Sequence, residues 1–424
     1  MSDQEGEGLR STEPERLPYG IKILLTAAFA TAIGNRSQLV ALGLLVFDVT
    51  GREIDLGLLG LAEFLPLFIL SPFSGTVADR FDRRLVFKVG LVVEIFAAVA
   101  LFLYARIPEP SIGPILALVV VFGVARSFVA PASRALPIDL APPGLVERVV
   151  ALRSVSFQIA GIVGPILVGL LFRFGRSWPF LVSIAGFAVA AGLVQLIPQS
   201  GVRRLTSPAG PAQALRDAVD GLRFMRRSPV VYGAISLDLF AVLFGGAVAL
   251  LPAIGEKRLG VDEAAVGLLY SAIGVGALLT AIVLSVRPVR RHVGVVLLGV
   301  IAVFGVATVV LGLTTNYVVA MLSLIVLSSA DGVSVFIRST LVPLATPEEM
   351  RGRVLAVENI FIGGSNELGS VESGLTAAWF GLAPAVVIGG VGTLAVVAIW
   401  MRLFPDLRRV DRFEEVRAGA ALPP

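Results

Sequence analysis

Four charged side chains lie deep inside long apolar runs, well away from the run ends, in the first half of this sequence. Arg36 and Arg126 are each near the middle of a run, and Glu63 and Glu94 occupy the two runs between them. A charge placed in lipid costs about 2.5–3.5 kcal/mol on insertion scales, so such a residue is expected to be paired or to serve a function. The pattern predicts either two buried ion pairs, with Glu63 and Glu94 neutralising the arginines, or a site where Arg36 and Arg126 hold an anion.

The apolar runs of the second half carry only acidic side chains at depth. They hold Asp238, Asp331, Glu358, Glu367 and Glu372. A carboxyl group in a medium of low dielectric constant binds a proton more tightly than in water, so this excess predicts proton binding. Asp331 is the first candidate for a group that takes up and releases protons, whereas Glu358 is expected to pair with a loop arginine.

A glycine-rich run beside these carboxylates, Gly-Gly-Ser-Asn at 363–366, predicts an interrupted helix. Irregular backbone at membrane depth is tolerated where it lines a cavity, so Asn366 and Glu367 are expected to face a substrate. Arg126 and Asp331 occupy matching positions of two repeated halves, which predicts opposite charges across one cavity. The candidates for substrate binding and proton coupling are Arg36, Glu63, Arg126, Asp238, Asp331, Asn366 and Glu367.

Helices that cross a lipid bilayer must position these side chains. Of the 424 residues, 56% are hydrophobic and 16% are charged, against roughly 25% charged in soluble domains. Apolar runs of about 20 residues, enough to cross a hydrocarbon core of about 30 Å, recur without the alternation of a membrane barrel. They lie at 23–47, 54–78, 85–104, 112–136, 149–172, 178–197, 230–254, 264–286, 293–313, 317–337, 354–379 and 382–403. The sequence predicts an all-α integral membrane protein with twelve transmembrane helices.

The twelve runs divide into two related sets of six. The longest hydrophilic interruption follows the sixth run, and the basic loop at 80–84 recurs at 287–291. The predicted domains are an N-terminal tail (1–21), a first half (22–198), a linker (199–229), a second half (230–404) and a C-terminal tail (405–424). Within the linker, Leu215, Val219 and Leu222 form an apolar stripe, which predicts an amphipathic helix that braces the two halves.

The distribution of basic residues predicts the orientation. If both termini face the cytoplasm, most Lys and Arg residues lie in inner loops, as the positive-inside rule requires. The exceptions in outer loops are Arg52, Arg106, Arg173, Arg176, Lys257 and Arg258. Three lysines against 32 arginines fit a bacterial protein, so the expected location is a bacterial-type inner membrane.

Several function classes are excluded by what the sequence lacks. It has no cysteine and one histidine, His292, at a basic helix end, so no metal site is expected. No phosphate-binding loop is present, which excludes ATP hydrolysis by that route, and no enzymatic site is expected. The basic residues form no groove-sized patch for nucleic acid. An ion gradient, not a cofactor, is expected to drive transport of a small molecule by a chain in contact with membrane lipid.

The loop after the second run closely resembles the G-x-x-x-D-R-x-x-R-R signature of the major facilitator superfamily. It reads Gly-Thr-Val-Ala-Asp-Arg-Phe-Asp-Arg-Arg at 75–84, and motifs at 108–110, 221–229 and 346–353 look like the branch that contains the enterobactin exporter. The resemblance implies the major facilitator fold, two six-helix halves related by a pseudo-two-fold axis. It also implies that the loop latches the inner face near the start of the eleventh span. The implied gating residues are Gly75, Asp79, Arg80, Arg83 and Arg84.

The fifth run is similar to the antiporter motif of major facilitator exporters. Gly161, Gly164, Pro165 and Gly169 carry the similarity, and Val168 stands where the motif has glycine. This resemblance favours export. The leading hypothesis is a proton-coupled exporter of small amphipathic molecules, either drugs or siderophore-like compounds. The alternatives are an importer of an organic anion and a non-transporting receptor or scaffold, although the cost of mid-membrane charges argues against the last.

Overall fold

The structure is a computed structural model that describes residues 17–142, 144–197 and 211–416. Residues 1–16 and 417–424 of the predicted tails lie outside the described residues, as does the segment 198–210 before the linker helix. Side chains at 71, 72, 75, 76, 78–80 and 211–215 are likewise not described.

The described chain is almost entirely helical. The first half contains α1 (Tyr19–Thr50), α2 (Glu53–Arg80), α3 (Arg83–Tyr104), α4 (Ile112–Asp139), α5 (Val146–Phe172) and α6 (Phe180–Gln195), and the linker contains α7 (Pro211–Arg227). The second half contains α8 (Pro229–Phe244), the turn α9 (Leu251–Ala253), α10 (Glu263–Val286), α11 (Val293–Leu313), α12 (Tyr317–Ala345), α13 (Glu348–Phe380), α14 (Leu382–Leu403) and α15 (Pro405–Arg409).

Nine of the described helical segments are long and apolar enough to cross a membrane, counting Pro229–Leu259 as one. The other three predicted spans are the more polar α2 and α13 and the shorter α6, and all three pack inside the same bundle. The architecture is therefore an all-α membrane protein, and the bundle is consistent with twelve spans.

Local signals in the sequence explain where several helices begin and end. The side chains of Asp82, Asp262 and Asn316 each accept a hydrogen bond from a backbone N–H in the first turn of α3, α10 and α12. Gly51 ends α1 in a left-handed conformation with φ 61°, which glycine adopts without steric cost. These caps satisfy backbone groups that have no partner within the helix.

The two halves repeat one packing scheme. In the first half α1 packs on α5 and α6, and α4 packs on α2 and α3. In the second half α8 packs on α13 and α14, and α12 packs on α10 and α11. The repeat pairs α2 with α10 and α5 with α13. The two contacts between halves, α5 with α10 and α2 with α13, are therefore equivalent to each other. The scheme is that of two six-helix units related by a pseudo-two-fold axis.

Two ion pairs join the halves at one end of the bundle. We call the end that carries the described chain termini the terminal side and the opposite end the far side. Arg173 at the end of α5 pairs with Asp262 at the start of α10 at 2.8 Å, and Lys257 pairs with Glu53 of α2 at 2.8 Å. Both ion pairs cross between halves on the far side, so this end of the bundle is closed.

The glycine-rich run at 363–366 does not interrupt its helix, so that prediction was wrong. Helix α13 runs without a break through Gly363 and Gly364, and Phe64 of α2 lies at ordinary contact distance, 3.5 and 3.8 Å, from where their Cβ atoms would be. The Asn366 side chain donates to the Ile362 carbonyl oxygen at 2.7 Å. Irregular backbone occurs in the seventh span instead, where 3₁₀ and π turns follow α8 as far as Leu259.

Helix α7 packs against α13 and α8 and also touches α2, as a brace between halves would. Its buried face differs from the predicted stripe, because Met225 is fully buried whereas Val219 is 42% exposed. Asp217 pairs with Arg353 of α13 at 2.9 Å. The face of α7 that carries Asp217 therefore contacts α13, and Val219 lies on an exposed face of the helix.

Candidate functional site

A cavity of about 180 Å³ lies between α1, α4 and α5 in the terminal-side part of the first half. Its most prominent lining residues are four arginines, Arg36, Arg126, Arg134 and Arg153, beside the ring of Phe157. Arg36 repels Arg126, and Arg134 repels both Arg126 and Arg153. The cavity is therefore strongly electropositive.

Arg36 enters the cavity from α1, where α5 allows close approach. A Cβ atom at Gly164 would lie 3.3 Å from the Cβ atom of Arg36, so the absence of a side chain there leaves room for the arginine. The Arg36 guanidinium lies 4.5 Å from the centroid of the Phe157 ring, close enough for a cation–π interaction. One glycine of the antiporter-like motif thus helps to position a candidate binding residue.

Arg126 is the cavity arginine that has carboxylate partners. Its Nη1 atom forms an ion pair with Oε1 of Glu63, a residue of α2 that is 6% exposed. Glu367 of α13 attracts Arg126 from the second half, and its Oε2 atom lies 2.9 Å from where a Cβ atom of Gly60 would be. Glu63 and Glu367 therefore approach Arg126 from the two different halves of the protein.

Glu94 does not neutralise an arginine, contrary to the prediction. It is fully buried on α3, and neither of its carboxyl oxygens has a hydrogen-bond partner among the described residues. Arg36 likewise has no carboxylate partner in the described part of the chain. Hydropathy placed Glu94 near the middle of its run, but the side chain points into the interior of the first half.

A second cluster of charges lies within the second half and is centred on Arg338 of α12. Its Nη2 atom lies 2.8 Å from Oδ1 of Asp238, and its Nη1 atom lies 3.7 Å from Oε1 of Glu358. Arg338 is 3% exposed. The expectation that this half has no deep basic residue was therefore wrong, because α12 continues eight residues beyond the predicted span end at 337, to Ala345.

Asp331 lies seven residues before Arg338 on α12, two helical turns away on the same face. It is half-buried and interacts electrostatically with both Asp238 and Arg338. Together with Asp238 and Glu358, Asp331 is thus one of three carboxyl groups that interact with a single guanidinium group. Asn366 is exposed on α13, and the described contacts bring Arg126 to Glu63 and Glu367, not to Asp331.

The gating residues are only partly described. Gly75, Asp79 and Arg80 lie in the last turns of α2, and the side chains of Asp79 and Arg80 lie outside the described part of the structure. Arg83 pairs with Asp139 at the end of α4 at 2.5 Å. Arg84 donates to the carbonyl oxygens of Val194 and Gln195 at the end of α6. These described contacts of Arg83 and Arg84 lie within the first half.

The antiporter-like motif lies at the interface between the halves. A Cβ atom at Gly169 would lie 2.7 Å from the Glu263 carbonyl oxygen, and one at Gly267 would lie 2.5 Å from the Pro165 carbonyl oxygen. A Cβ atom at Gly274 would lie 3.0 Å from the Gly161 carbonyl oxygen, whereas a Cβ atom at Gly161 would have no neighbour within 4 Å. Small residues at these positions let α5 and α10 approach closely.

Sequence reasoning missed three arginines of these sites. Arg134 and Arg153, near the ends of their predicted spans, were counted with the basic residues of the inner loops, and Arg338 lies one residue beyond its predicted span. Helical spacing was the available signal. Arg134 lies eight residues after Arg126, and Arg338 lies seven after Asp331, so each pair shares a helix face once the helix is known to continue.

The sequence profile of a family described as transmembrane secretion effector matches residues 19–418 of the chain. The uncharacterized MFS-type transporter YfiS of Bacillus subtilis (strain 168) is 24% identical over 389 residues, which cover 88% of this chain and 90% of that protein. The enterobactin exporter EntS of Citrobacter koseri is 26% identical over 378 residues and 87% of each chain.

Solved transporter structures share the fold at low sequence identity. The nucleoside transporter NupG has a TM-score of 0.70 with 16% identity, covering 91% of this chain and 99% of that one. An inward-facing bacterial homolog of the human lysosomal transporter Spinster has a TM-score of 0.70 with 15% identity, covering 95% and 98%. These likenesses concern the fold alone.

Proposed function

The chain belongs to the transmembrane secretion effector family of the major facilitator superfamily, and on this premise we propose that it is a proton-driven exporter of small amphipathic molecules. Proteins of this family are transporters and not enzymes. The observation that carries the proposal is the closure of the far side above a charged cavity on the terminal side. Such an arrangement admits a solute from one side of the membrane only.

The orientation that we propose for the chain indicates which side of the membrane the cavity faces. Both termini face the cytoplasm of a bacterial cell, as the positive-inside rule favours, so the cavity opens inward and accepts its solute from the cytoplasm. The resemblance of α5 to the antiporter motif supports export, as does the similarity to an enterobactin exporter. Drugs and siderophore-like compounds are the solutes that this similarity suggests.

Protons are the proposed driving ions, and the cluster around Arg338 supports this assignment. Asp238, Asp331 and Glu358 share one buried guanidinium group. A site with more carboxylates than cations gains from binding a proton, because ionising every carboxyl group in a low-dielectric medium is costly. Asp331 is half-buried and is therefore the carboxyl group best placed to exchange a proton with water.

Export is tested in bacterial cells that express the protein. We expect cells loaded with a panel of cationic dyes, amphipathic anions and a catecholate siderophore to retain less of at least one compound than cells without the protein. A protonophore is expected to remove the difference. Unchanged retention of the whole panel would contradict export.

Import of an organic anion is the second candidate, because the arginine-lined cavity supports an anionic solute in either direction. The same cells distinguish the two functions, because export lowers and import raises the amount of solute that they hold. Greater accumulation of an anion by expressing cells, lost on protonophore treatment, would establish import and overturn export.

A further inference from the structure

The charges of the cavity indicate which solutes it takes. We infer that the cavity binds a small aromatic organic anion between Arg36, Arg126 and Arg153, and that this anion competes with Glu63 and Glu367 for Arg126. The inference rests on the proposed transport function, since it assigns the cavity to the transported solute.

The first argument is uncompensated charge. Arg36, Arg134 and Arg153 have no carboxylate partner among the described residues, and the Nε atom of Arg153 is buried without a hydrogen-bond partner. Several guanidinium groups held in mutual repulsion cost free energy unless an anion occupies the space between them. A carboxylate accepts two parallel hydrogen bonds from one guanidinium group, so the chemistry of the cavity matches an organic acid.

The second argument is the size and lining of the cavity. Its volume of about 180 Å³ is slightly larger than the roughly 150 Å³ of an engineered cavity that accepts benzene. Phe157 is 47% exposed beside Arg36 and offers an aromatic face. One ring bearing one or two acidic groups fits these dimensions and contacts both the guanidinium groups and the ring.

The third argument is the position of Arg126 between two carboxylates. Glu63 already pairs with Arg126, and Glu367 attracts it from the other half. An anionic ligand that engages Arg126 must take the place of one of these carboxylates. The released carboxylate is left near the ligand's negative charge, and binding a proton removes that repulsion. Occupancy of the cavity is thereby linked to proton binding at the junction of the halves.

The pH dependence follows from the groups that face Glu367. Arg126 on α4 is the charged group shown to act on it, and Glu63 on α2 pairs with that same arginine. On its own helix, Ser370 donates to the Asn366 carbonyl oxygen. Protonation of Glu63 or Glu367 frees Arg126 for the ligand. Anion affinity is therefore expected to rise as the pH falls, over the range in which the ligand itself stays ionised.

The test is equilibrium binding to the full-length protein in phosphatidylcholine nanodiscs, with no gradient present. The probes are benzoate and terephthalate, with benzamide and benzylammonium as neutral and cationic counterparts of the same ring. We expect the two anions to bind at least about tenfold more tightly than the other two, which corresponds to about 1.4 kcal/mol. Equal binding of all four probes would overturn the inference.

Variants locate the binding. Arg36→Gln and Arg153→Gln are expected to weaken terephthalate binding about tenfold each, because neither change leaves a carboxylate unpaired. Arg106→Gln is the matched control, since Arg106 lies on the far side against Phe102, and it is expected to bind as the unmodified protein does. Equal losses in all three variants would place the anion outside the cavity.

Competition is tested by whether two further substitutions raise or lower the affinity for terephthalate. Glu63→Gln and Glu367→Gln are expected to raise terephthalate affinity several-fold and to flatten its pH dependence. Carboxylates with a purely structural role would give lower or unchanged affinity, which would overturn the competition.

Anion binding without gradient-driven flux would support this inference and count against proton-driven export. Gradient-driven flux of cationic dyes without anion binding would support proton-driven export and overturn this inference.

Discussion

At the residue scale, Arg338 changes the charge balance of the second half. One guanidinium group, 3% exposed, holds Asp238 and Glu358 together. Removing one partner of a buried pair costs about 3–5 kcal/mol, because the other charge remains desolvated. Arg338→Met is therefore expected to lower the free energy of unfolding by about that amount, measured by denaturation in detergent.

The matched control is Arg351→Met, because Arg351 is exposed and its Nε atom donates only to the Pro343 carbonyl oxygen among the contacts described. We expect a change within about 0.5 kcal/mol for that variant. Adding Asp238→Asn to Arg338→Met is expected to recover part of the loss. Equal stability of Arg338→Met and Arg351→Met would show that the Arg338 cluster contributes nothing to the stability of the fold.

Single residues also mark the limit of sequence reasoning. Arg36 and Arg126 were identified because a charge within an apolar run is conspicuous. Arg338 was not, because it lies at the end of an apolar run, where a charge is expected in a loop, whereas α12 continues past it and Asp238 of another helix neutralises its charge. Ion pairs between helices depend on side-chain directions that spacing along one chain does not reveal.

At the element scale, close packing of α5 on α10 joins the halves on the far side. Gly169→Leu would add a branched side chain at a position where even a Cβ atom would lie 2.7 Å from the Glu263 carbonyl oxygen. We expect this variant to fold in the membrane but to lose at least about tenfold in transport rate, since overpacking of this kind costs about 1–3 kcal/mol. The loss is measured as retention of exported compound by expressing cells.

Gly192→Leu on α6 is the control for this substitution, because nothing lies within 4 Å of a Cβ atom at position 192. It is expected to transport at the unmodified rate. Full activity of Gly169→Leu would mean that close approach of α5 and α10 is not needed for transport.

The segment after α14 is an element that the sequence presented only as a tail. Leu407 is fully buried, and the amides of Val293 and Gly294 donate to the carbonyl oxygens of Asp411 and Val410. The backbone N–H of His292 and nearby cationic side chains hold the pKa of Asp411 below its ordinary value of 3.8. Docking of the segment is therefore fully stabilised above that value and weakens as the pH falls through the lowered pKa.

Hydrogen exchange at the amides of 293 and 294 reports this docking. Asp411→Ala is expected to speed their exchange at neutral pH and to have little effect once the pH lies below the pKa of Asp411. Glu414→Ala, at an exposed neighbouring position, is the control. Unchanged exchange in Asp411→Ala would show that the carboxylate does not anchor the segment.

Helix positions were the part of the fold best predicted from sequence. Apolar length fixes most spans to within a few residues, because lipid admits only segments whose backbone is satisfied internally. The continuity of α13 and the irregular turns after α8 were not predicted. The turns lie where the Gly369 carbonyl of α13 closely approaches Gly246, a contact that spacing along one chain does not reveal.

At the scale of the whole molecule, two charged sites occupy different halves of one pseudo-symmetric bundle. The arginine cavity lies in the first half and the Arg338 cluster lies in the second, while Glu367 reaches from the second half toward Arg126. This division suits an exchanger in which rocking of the halves exposes both sites first to one side of the membrane and then to the other. It also makes the two sites separable by mutation.

Flux in liposomes tests proton-driven transport most directly. The reconstituted protein is given an imposed pH gradient and the panel of dyes, anions and catecholate siderophore, and it is compared with Asp331→Asn and with the far-side control Arg106→Gln. The account predicts gradient-dependent flux of at least one compound in the unmodified protein and in Arg106→Gln, and loss of that dependence in Asp331→Asn. Flux that is the same with and without the gradient would contradict proton coupling.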